Sequence, residues 1–420
     1  MLSLTTLSAA NANKPAYDPA TLDIGVVHFG PGAFHRAHQA AYFDALAAKD
    51  ARWGICGISL HSTGVRDALK PQDGLYTLAI LDEEISYRII GSMREVLVGP
   101  EDIEAVFERL TRPSVELVTS TVTEKGYCLA ADFSLDLQHP DIVHDLANPQ
   151  TPKSFIGYIA EGLRRRRQTG LKPFVLIPCD NLPKNGARLK EAVTVFAGQS
   201  DHDLARWIHD NLQCPSTMVD SITPATDDAL RARVAEATGV ADAWPIQREA
   251  FTQWVIEKHT HDNGPDWQGV GVTITDNVPA YERAKLRLLN GPHSTLAYMG
   301  LHRGYDSVSE AMQDTELADI VRRLMTLDVV PLLDAPEGLD LMAYSEDILK
   351  RFRNPAIVHK LAQIAWDGSQ KLPIRILSSL SEALDRGQFL IMYQPIIDLD
   401  DARIMGFEAL LRWDHPRRHR

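Results

Sequence analysis

Up to about residue 280 the chain alternates between short apolar runs and stretches with helical spacing; beyond it the apolar runs stop. LDIGVVHFG, WGICGISL, SVELVTSTVT and FVLIPCDNL have the length of buried strands, and TMVDSIT and WQGVGVTIT are further candidates. HQAAYFDALAAK, GVRDALK, PEDIEAVFERLT, SFIGYIAEGLRRRR and GARLKEAVTVFAGQ, lying between several of these runs, read as helices. Such alternation predicts a parallel sheet covered by helices, because a parallel pair needs a long crossover and the crossover is usually a helix. Further on, YERAKLRLLNGPHSTLAYMG, LADIVRRLMTLDVVPLL, MAYSEDILKRF and PAIVHKLAQIAW keep helical periodicity, and no strand signal returns until residue 388. That change places a domain boundary near residue 280. Residues 1–20 read as a polar surface tail. The run Arg164–Arg167 reads as a solvated helix end, since cations suit a helix C-terminus.

Bulk properties narrow the function classes. A chain of 420 residues holds two domains with sizeable cores. Its formal net charge of −13, from 43 basic against 56 acidic residues, argues against a nucleic-acid partner. Cys56, Cys128, Cys179 and Cys214 stand far apart without a CxxC, so neither a zinc knuckle nor a redox pair is suggested, and reduced cytoplasmic thiols are the simplest reading. The opening MLSLTTLSAANANKPAYDP lacks the basic and apolar regions of a signal peptide, and no apolar stretch has the length of a membrane span. A cytoplasmic protein with no membrane partner is expected, as a monomer or weak oligomer.

The first strand runs into Gly30-Pro31-Gly32-Ala33-Phe34-His35 and then a helix. In a dinucleotide-binding turn the first glycine permits the tight bend and the second lets the backbone approach the pyrophosphate. Here His35 stands in the place of the third glycine, and a purely structural turn is the competing reading. Val27, Gly30, Gly32, Ala33, Phe34 and His35 are the candidate cofactor contacts. An acid at the end of the second strand would hold the ribose 2′-OH of NAD. That strand ends instead in His61-Ser62-Thr63, with Arg66 and Asp67 following, so the choice between NAD and NADP stays open.

Chemistry concentrates in Glu282-Arg-Ala-Lys285-Leu-Arg287-Leu-Leu-Asn290-Gly-Pro292-His293. Removing hydride from a secondary alcohol requires its hydroxyl proton to leave, to a base or under the influence of a metal. No metal-ligand spacing is visible, so no metal is expected and a base is needed. A lysine serves when desolvation or a nearby cation lowers its pKa. Amide and imidazole N–H groups would then stabilise the alkoxide. On an ideal helix Lys285 and His293 lie roughly 80° and about 12 Å apart, and Pro292 favours a kink. The competing reading makes Lys285 and Arg287 surface cations and Asn290-Gly291 a loop. A second polar knot, Cys179-Asp180-Asn181-Leu-Pro-Lys184-Asn185-Gly186, follows an apolar strand, where open α/β sheets bind ligands. Asn181 would point an amide at a substrate there, or the knot is a turn capped by Asp and Asn.

Together HFGPGAFHRAHQ, QDGLYTL, TVTEKGY, CDNLPKNG, MVDSITP, ERAKLRLLNGPHS and DGSQKLPIRIL resemble the mannitol dehydrogenase family of long-chain polyol dehydrogenases, in family order from about residue 20 to 377. The resemblance implies an α/β Rossmann-like dinucleotide-binding domain over 1–280 and a mostly α-helical domain over 281–380, the latter truncated. It implies NAD, with NADP possible, and a polyol, ketose or hexuronate substrate handled without metal. It makes Lys285 the general base, Asn181 and Asn290 the oxyanion-stabilising pair, His293 the group that orients the substrate oxygen, and Glu282 the proton-channel residue. Asp220 and Lys371 become substrate contacts.

After Leu377 the family pattern gives way. Tyr393-Gln394-Pro395-Ile396, Gly406-Phe407-Glu408-Ala409-Leu410, Leu411-Arg412-Trp413 and His415-Pro416 resemble the start of an EAL domain, the cyclic-di-GMP phosphodiesterase module. Residues 381–420 cover a small part of a barrel of about 250 residues. The resemblance makes Glu408 a metal ligand, and one carboxylate cannot make a magnesium site. A short β-hairpin-like fragment is expected. The competing functional readings are an inactive or destabilised dehydrogenase remnant fused to a non-functional EAL fragment, and a signalling hydrolase.

Overall fold

A computed structural model describes residues 1–260, 264–357, 359–365, 389–397 and 404–413. The chain divides into two compact units, Met1–Ala284 with Leu333–Val358, and Lys285–Leu332 with His359–Arg420. The segment 333–358, which the sequence reading groups with the helical domain, therefore packs within the first unit.

In chain order the first unit holds β1 (Ile24–Phe29), α1 (Ala33–Ala37), α2 (Gln39–Ala47), β2 (Gly54–Ser59), α3 (Gly64–Leu69), β3 (Tyr76–Leu81), β4 (Ser86–Ile90), β5 (Met93–Val98), α4 (Ile103–Leu110) and β6 (Leu117–Ser120). It continues with α5 (Pro140–Ala147), α6 (Phe155–Gln168), β7 (Val175–Pro178), α7 (Asn185–Gly198), α8 (His202–Asn211), β8 (Thr217–Asp220), α9 (Asp228–Thr238), β9 (Ile246–Glu249), β10 (Gln253–Glu257), β11 (Thr273–Thr275) and α10 (Val278–Ala284).

Five strands form an all-parallel sheet in the order β5-β2-β1-β6-β7. The order reverses between β1 and β6, and the crevice beyond the carboxyl ends at such a point is where open α/β sheets bind ligands. Every residue of β1 is buried, as a central parallel strand requires. A register shift between Ile24 and Val26 puts Ile24 and Val27 on one face and Val26 on the other. On the first face Phe107, Phe155, Ile159, Val193 and Ile208 from α4, α6, α7 and α8 close a core; on the other, Phe43 and Leu69 from α2 and α3 pack with Tyr76, Trp254 and Trp267.

Two small mixed sheets flank the main one, β4-β3-β9 and β11-β10-β8. Sequence reading missed β3, β4, β5, β9 and β10, and WQGVGVTIT holds a short turn at Gln268–Val270 with a strand only at Thr273–Thr275. The N-terminal stretch is also no loose tail. Leu2 and Ala10 are buried with Leu75 and Ile89, and Leu2 N donates to Ala241 O at 2.7 Å. Nor is the arginine run simply solvated. Arg166 is buried and donates to the carbonyls of Leu110, Val115 and Lys172, while Arg164 and Arg165 both grip buried Glu161.

The second unit opens with a π-helical turn, Lys285–Asn290, followed by α11 (Gly291–His302), α12 (Val308–Ala311) and α13 (Thr315–Arg323). A second π-turn, Leu324–Val329, ends this stretch. The chain then returns to the first unit through α14 (Leu341–Arg353), and α15 (Leu361–Ala365) lies in the second. A reciprocal cap by Ser307 and Glu310 starts α12, and Gly300 brings α11 against Leu361 and Ala311. β12 (Phe389–Ile397) and β13 (Ile404–Trp413) form the expected hairpin, an antiparallel pair that places Gln394 opposite Glu408. Among the described residues no helix is long and apolar enough to cross a membrane.

Candidate functional site

The glycine turn stands at the carboxyl end of β1, on the switch-point crevice. Gly30 has φ +86°, and a Cβ there would come within 2.6 Å of Thr121 O, so the fold itself demands glycine. Gly32 differs. Its φ is −72°, and a Cβ would meet nothing nearer than Gly30 O at 3.9 Å. The fold leaves room for a side chain there, so packing within the protein does not itself demand glycine at this position.

A polar brace invisible to motif reading holds the turn. The buried His28 ring accepts from or donates to Thr119 Oγ1 at 2.7 Å through Nδ1, and its Nε2 lies 3.0 Å from Thr121 Oγ1 and 3.2 Å from Gly30 O. Gly30 O also accepts from Thr121 Oγ1 at 2.7 Å. Only an N–H can serve the carbonyl, so Nε2 carries the proton and Nδ1 accepts. The His35 ring stacks on His28 with centroids 3.3 Å apart. Burial pushes His28 down to about 3, and burial with the neighbouring His28 pushes His35 well below its ordinary value, so both are neutral near pH 7. Behind them, buried Arg36 donates to Trp244 O at 3.0 Å, and Tyr76 donates to Arg36 O at 2.6 Å. A histidine inside the apolar run LDIGVVHFG was the one sequence signal that could have found this brace.

At the end of β2, His61 and Ser62 are exposed. Arg66, the candidate for a 2′-phosphate, is paired with Asp67 and with Glu101.

The loop after β7 is rigid for reasons the sequence half reveals. Asp180 accepts from Thr123 N at 2.9 Å and from Tyr127 Oη at 2.8 Å. Asn185 donates to Asp180 O and Thr217 O and accepts from Gly186 N and Thr217 N, tying the loop to β8. A Cβ on Gly186 would strike Cys214 O at 2.4 Å. Asp180, Asn185 and Gly186 are held within the turn, and Asn181 is exposed on its surface. Asp220 ends β8 and is buried, with its carboxylate on Arg351 Nη1 at 2.9 Å.

Glu282 lies in α10 and is half-buried. In the second unit the helical run widens to a π-turn at Lys285–Asn290, just before Pro292, and continues into α11. A π-turn closes i to i+5, so Lys285 and Asn290, five residues apart, are brought towards the same side of the helix. In an α-helix the same spacing would separate them by roughly 140°. His293 follows in α11, its ring 4.6 Å from that of His359. Lys285, Asn290 and His293 thus belong to one helical run in the second unit, while Asn181, Asp220 and Glu282 belong to the first. Lys371 lies outside the described residues.

Comparison with known proteins gives matches along most of the chain. Residues 24–269 match the profile described as the mannitol dehydrogenase Rossmann domain, residues 277–392 the mannitol dehydrogenase C-terminal domain, and residues 377–419 the EAL domain. The C-terminal match therefore continues past Leu377, where the sequence reading ended it. D-mannonate oxidoreductase of Escherichia coli K12 is 43% identical over 393 residues, covering 91% of this chain and 81% of that protein. Mannitol 2-dehydrogenase of Phaeosphaeria nodorum is 39% identical over 386 residues, covering 90% and 68%. Among solved structures, Pseudomonas fluorescens mannitol 2-dehydrogenase in ternary complex with NAD and D-mannitol superposes with a TM-score of 0.84 at 38% identity, covering 92% of this chain and 80% of that one. A substrate-free D-sorbitol dehydrogenase gives 0.87 at 34% identity, covering 92% and 82%.

Proposed function

Because the chain belongs to the mannitol dehydrogenase family, an oxidoreductase family acting on polyol CH–OH groups, we propose that it interconverts a polyol or sugar acid and the matching ketose or ketouronate, with Lys285 as general base. The observation that supports this reading is the π-turn Lys285–Asn290, whose wider spacing favours a shared side of the helix for these two residues. The cofactor is NAD, which takes up or delivers the hydride when bound. Gly30, Gly32, Ala33 and Phe34 would line its site, while Val27 and His35 are buried and would support the turn from beneath; the open space at Gly32 fits a pyrophosphate held by backbone N–H groups. His61 and Ser62 at the end of β2 leave NADP tolerated.

In this mechanism Lys285 in its neutral form accepts the hydroxyl proton as the C–H bond breaks, and returns it in the reverse direction. Asn181 and Asn290 donate amide N–H groups to the developing alkoxide, which gain strength as charge builds on the oxygen. His293 donates to the same oxygen and orients it. Glu282, three residues before Lys285, passes the proton on towards solvent. Asp220 and Lys371 bind the remaining hydroxyl groups. Among the described residues no group of three His, Cys, Asp or Glu side chains stands together as a metal site. The EAL-like segment takes no part in this chemistry.

Assay of mannitol, arabinitol, fructose and fructuronate with NAD(H) and NADP(H) tests the reading. Turnover of at least one pair is expected, unaffected by exhaustive chelation. Lys285→Ala should lower kcat by about 10²–10⁴-fold while NADH still binds. Failure to turn over any of the four, or near-parental kcat in Lys285→Ala, overturns it.

A further inference from the structure

Arg351 of α14 is buried and serves two buried carboxylates at once. Its Nε and Nη2 donate to Glu249 Oε2 and Oε1 at 2.8 and 2.7 Å. Its Nη1 and Nη2 donate to Asp220 Oδ2 and Oδ1 at 2.9 and 3.2 Å. Both edges of the guanidinium are therefore used in paired fashion, and its plane dictates the orientation of both carboxylates. Phe251 covers the guanidinium face, with its ring centroid 4.2 Å from Cζ. Glu249 Oε1 also accepts from Ile222 N at 2.6 Å, so the backbone two residues beyond Asp220 is tied to the same group. Tyr344, seven residues before Arg351 on α14, reaches Asp220 Oδ2 at 3.4 Å.

A single ion pair would suffice to dock α14 on the first unit. Two buried carboxylates share one guanidinium, and burial raises the Glu249 carboxyl above its ordinary range, so the arrangement is costly even though it is paired. Such an arrangement is explained when one carboxylate must be ionised and held still for another purpose. Asp220, at the carboxyl end of β8, is that group, and Glu249 with Phe251 fixes the guanidinium that holds it.

We propose that Arg351 is a positioning residue for substrate recognition, locking the Asp220 carboxylate in one orientation so that it accepts a hydrogen bond from a substrate hydroxyl. The inference rests on the reading of Asp220 as a substrate contact.

Steady-state kinetics with the sugar alcohol turned over fastest, together with NADH titration, test the proposal in Asp220→Asn, Arg351→Lys and the double variant. Lysine keeps the charge but cannot form the paired bonds. Each single substitution should raise KM for the alcohol at least tenfold with NADH affinity within twofold of the parent, and the double variant should be no worse than the weaker single one. Glu249→Gln, which keeps Arg351 and the shape of the trio, should raise the same KM by a smaller factor, and it carries the test if Arg351→Lys does not fold. A parental KM in Arg351→Lys or Glu249→Gln, beside a raised KM in Asp220→Asn, overturns the role of Arg351 and leaves the Asp220 reading standing. Multiplying effects in the double variant also overturn it. A parental KM in Asp220→Asn overturns the Asp220 reading and this inference with it.

Discussion

Gly30 and Gly32 sit two residues apart and answer different demands. Alanine at 30 must adopt φ +86° and push Thr121 O away, so Gly30→Ala should cost about 2 kcal/mol or more of stability in urea denaturation. Alanine at 32 meets no protein atom closer than 3.9 Å and should leave stability within about 0.5 kcal/mol, while NADH affinity falls at least tenfold. Unchanged NADH affinity in Gly32→Ala would remove the turn from the cofactor site. His28 predicts an acid sensitivity. Its folded pKa, about 3 against an ordinary 6.5, means that below pH 6.5 the unfolded chain takes up a proton the folded one refuses. The stabilisation is complete above about pH 6.5 and is lost as pH falls towards 3, by about 1.4 kcal/mol for each pH unit once the unfolded histidine is charged. His35, shifted the same way, adds to the slope. His28→Gln should lose less stability between pH 6.5 and 5 than the parent; an equal loss in both would show that His28 does not set the slope. At this scale the sequence was legible where a residue type has one use. Gly30 was read from its place between strand and helix. His28 and Arg351 were not, since their partners, Thr119 and Asp220, lie 91 and 131 residues away in the chain.

Elements were legible in proportion to how uniformly they are buried. β1, β2, β6 and β7 lie within the parallel sheet and read as apolar runs. β4 and β9 carry Ser86, Arg88, Gln247 and Arg248, and their apolar residues are too few to mark a period. The π-turn had no legible mark, because KLRLLN fits an α-helix as well as a π-turn, and Pro292 suggested a kink where the helix instead continues. That turn makes a prediction of its own. Inserting one alanine after Leu286 gives Lys285 and Asn290 a spacing of six, which neither an α- nor a π-turn closes. With the amide carried off the lysine's face, kcat should fall by about 10²–10³-fold while NADH still binds. Deleting Leu286 leaves a spacing of four, which an α-turn closes, and should retain more activity than the insertion. The reverse order, or an insertion variant within twofold of the parent, would show that the shared face of Lys285 and Asn290 does not matter.

For the whole molecule, the chain leaves the first unit at Ala284, returns at Leu333 and leaves again after residue 358, a path that helical periodicity alone does not reveal. The return is fastened inside the first unit by Arg351 on Asp220 and Glu249, by Tyr281 donating to Glu337 O at 2.7 Å, and by Asn354 donating to Leu81 O. Among the described residues β12 pairs only with β13. An isolated two-stranded hairpin is marginal in water, and a barrel closes only when its full set of strands is present. Glu408 is a single carboxylate, whereas a magnesium site draws on several oxygen ligands. A polypeptide of residues 1–420 alone should therefore hydrolyse no cyclic-di-GMP in the presence of magnesium. Removing residues 389–420 should leave kcat/KM for the preferred polyol little changed, because the proposed catalytic groups all precede the hairpin. Magnesium-dependent release of a linear dinucleotide by that polypeptide would make the tail an active module. A truncated protein that no longer folds or turns over would make the hairpin a structural part of the dehydrogenase.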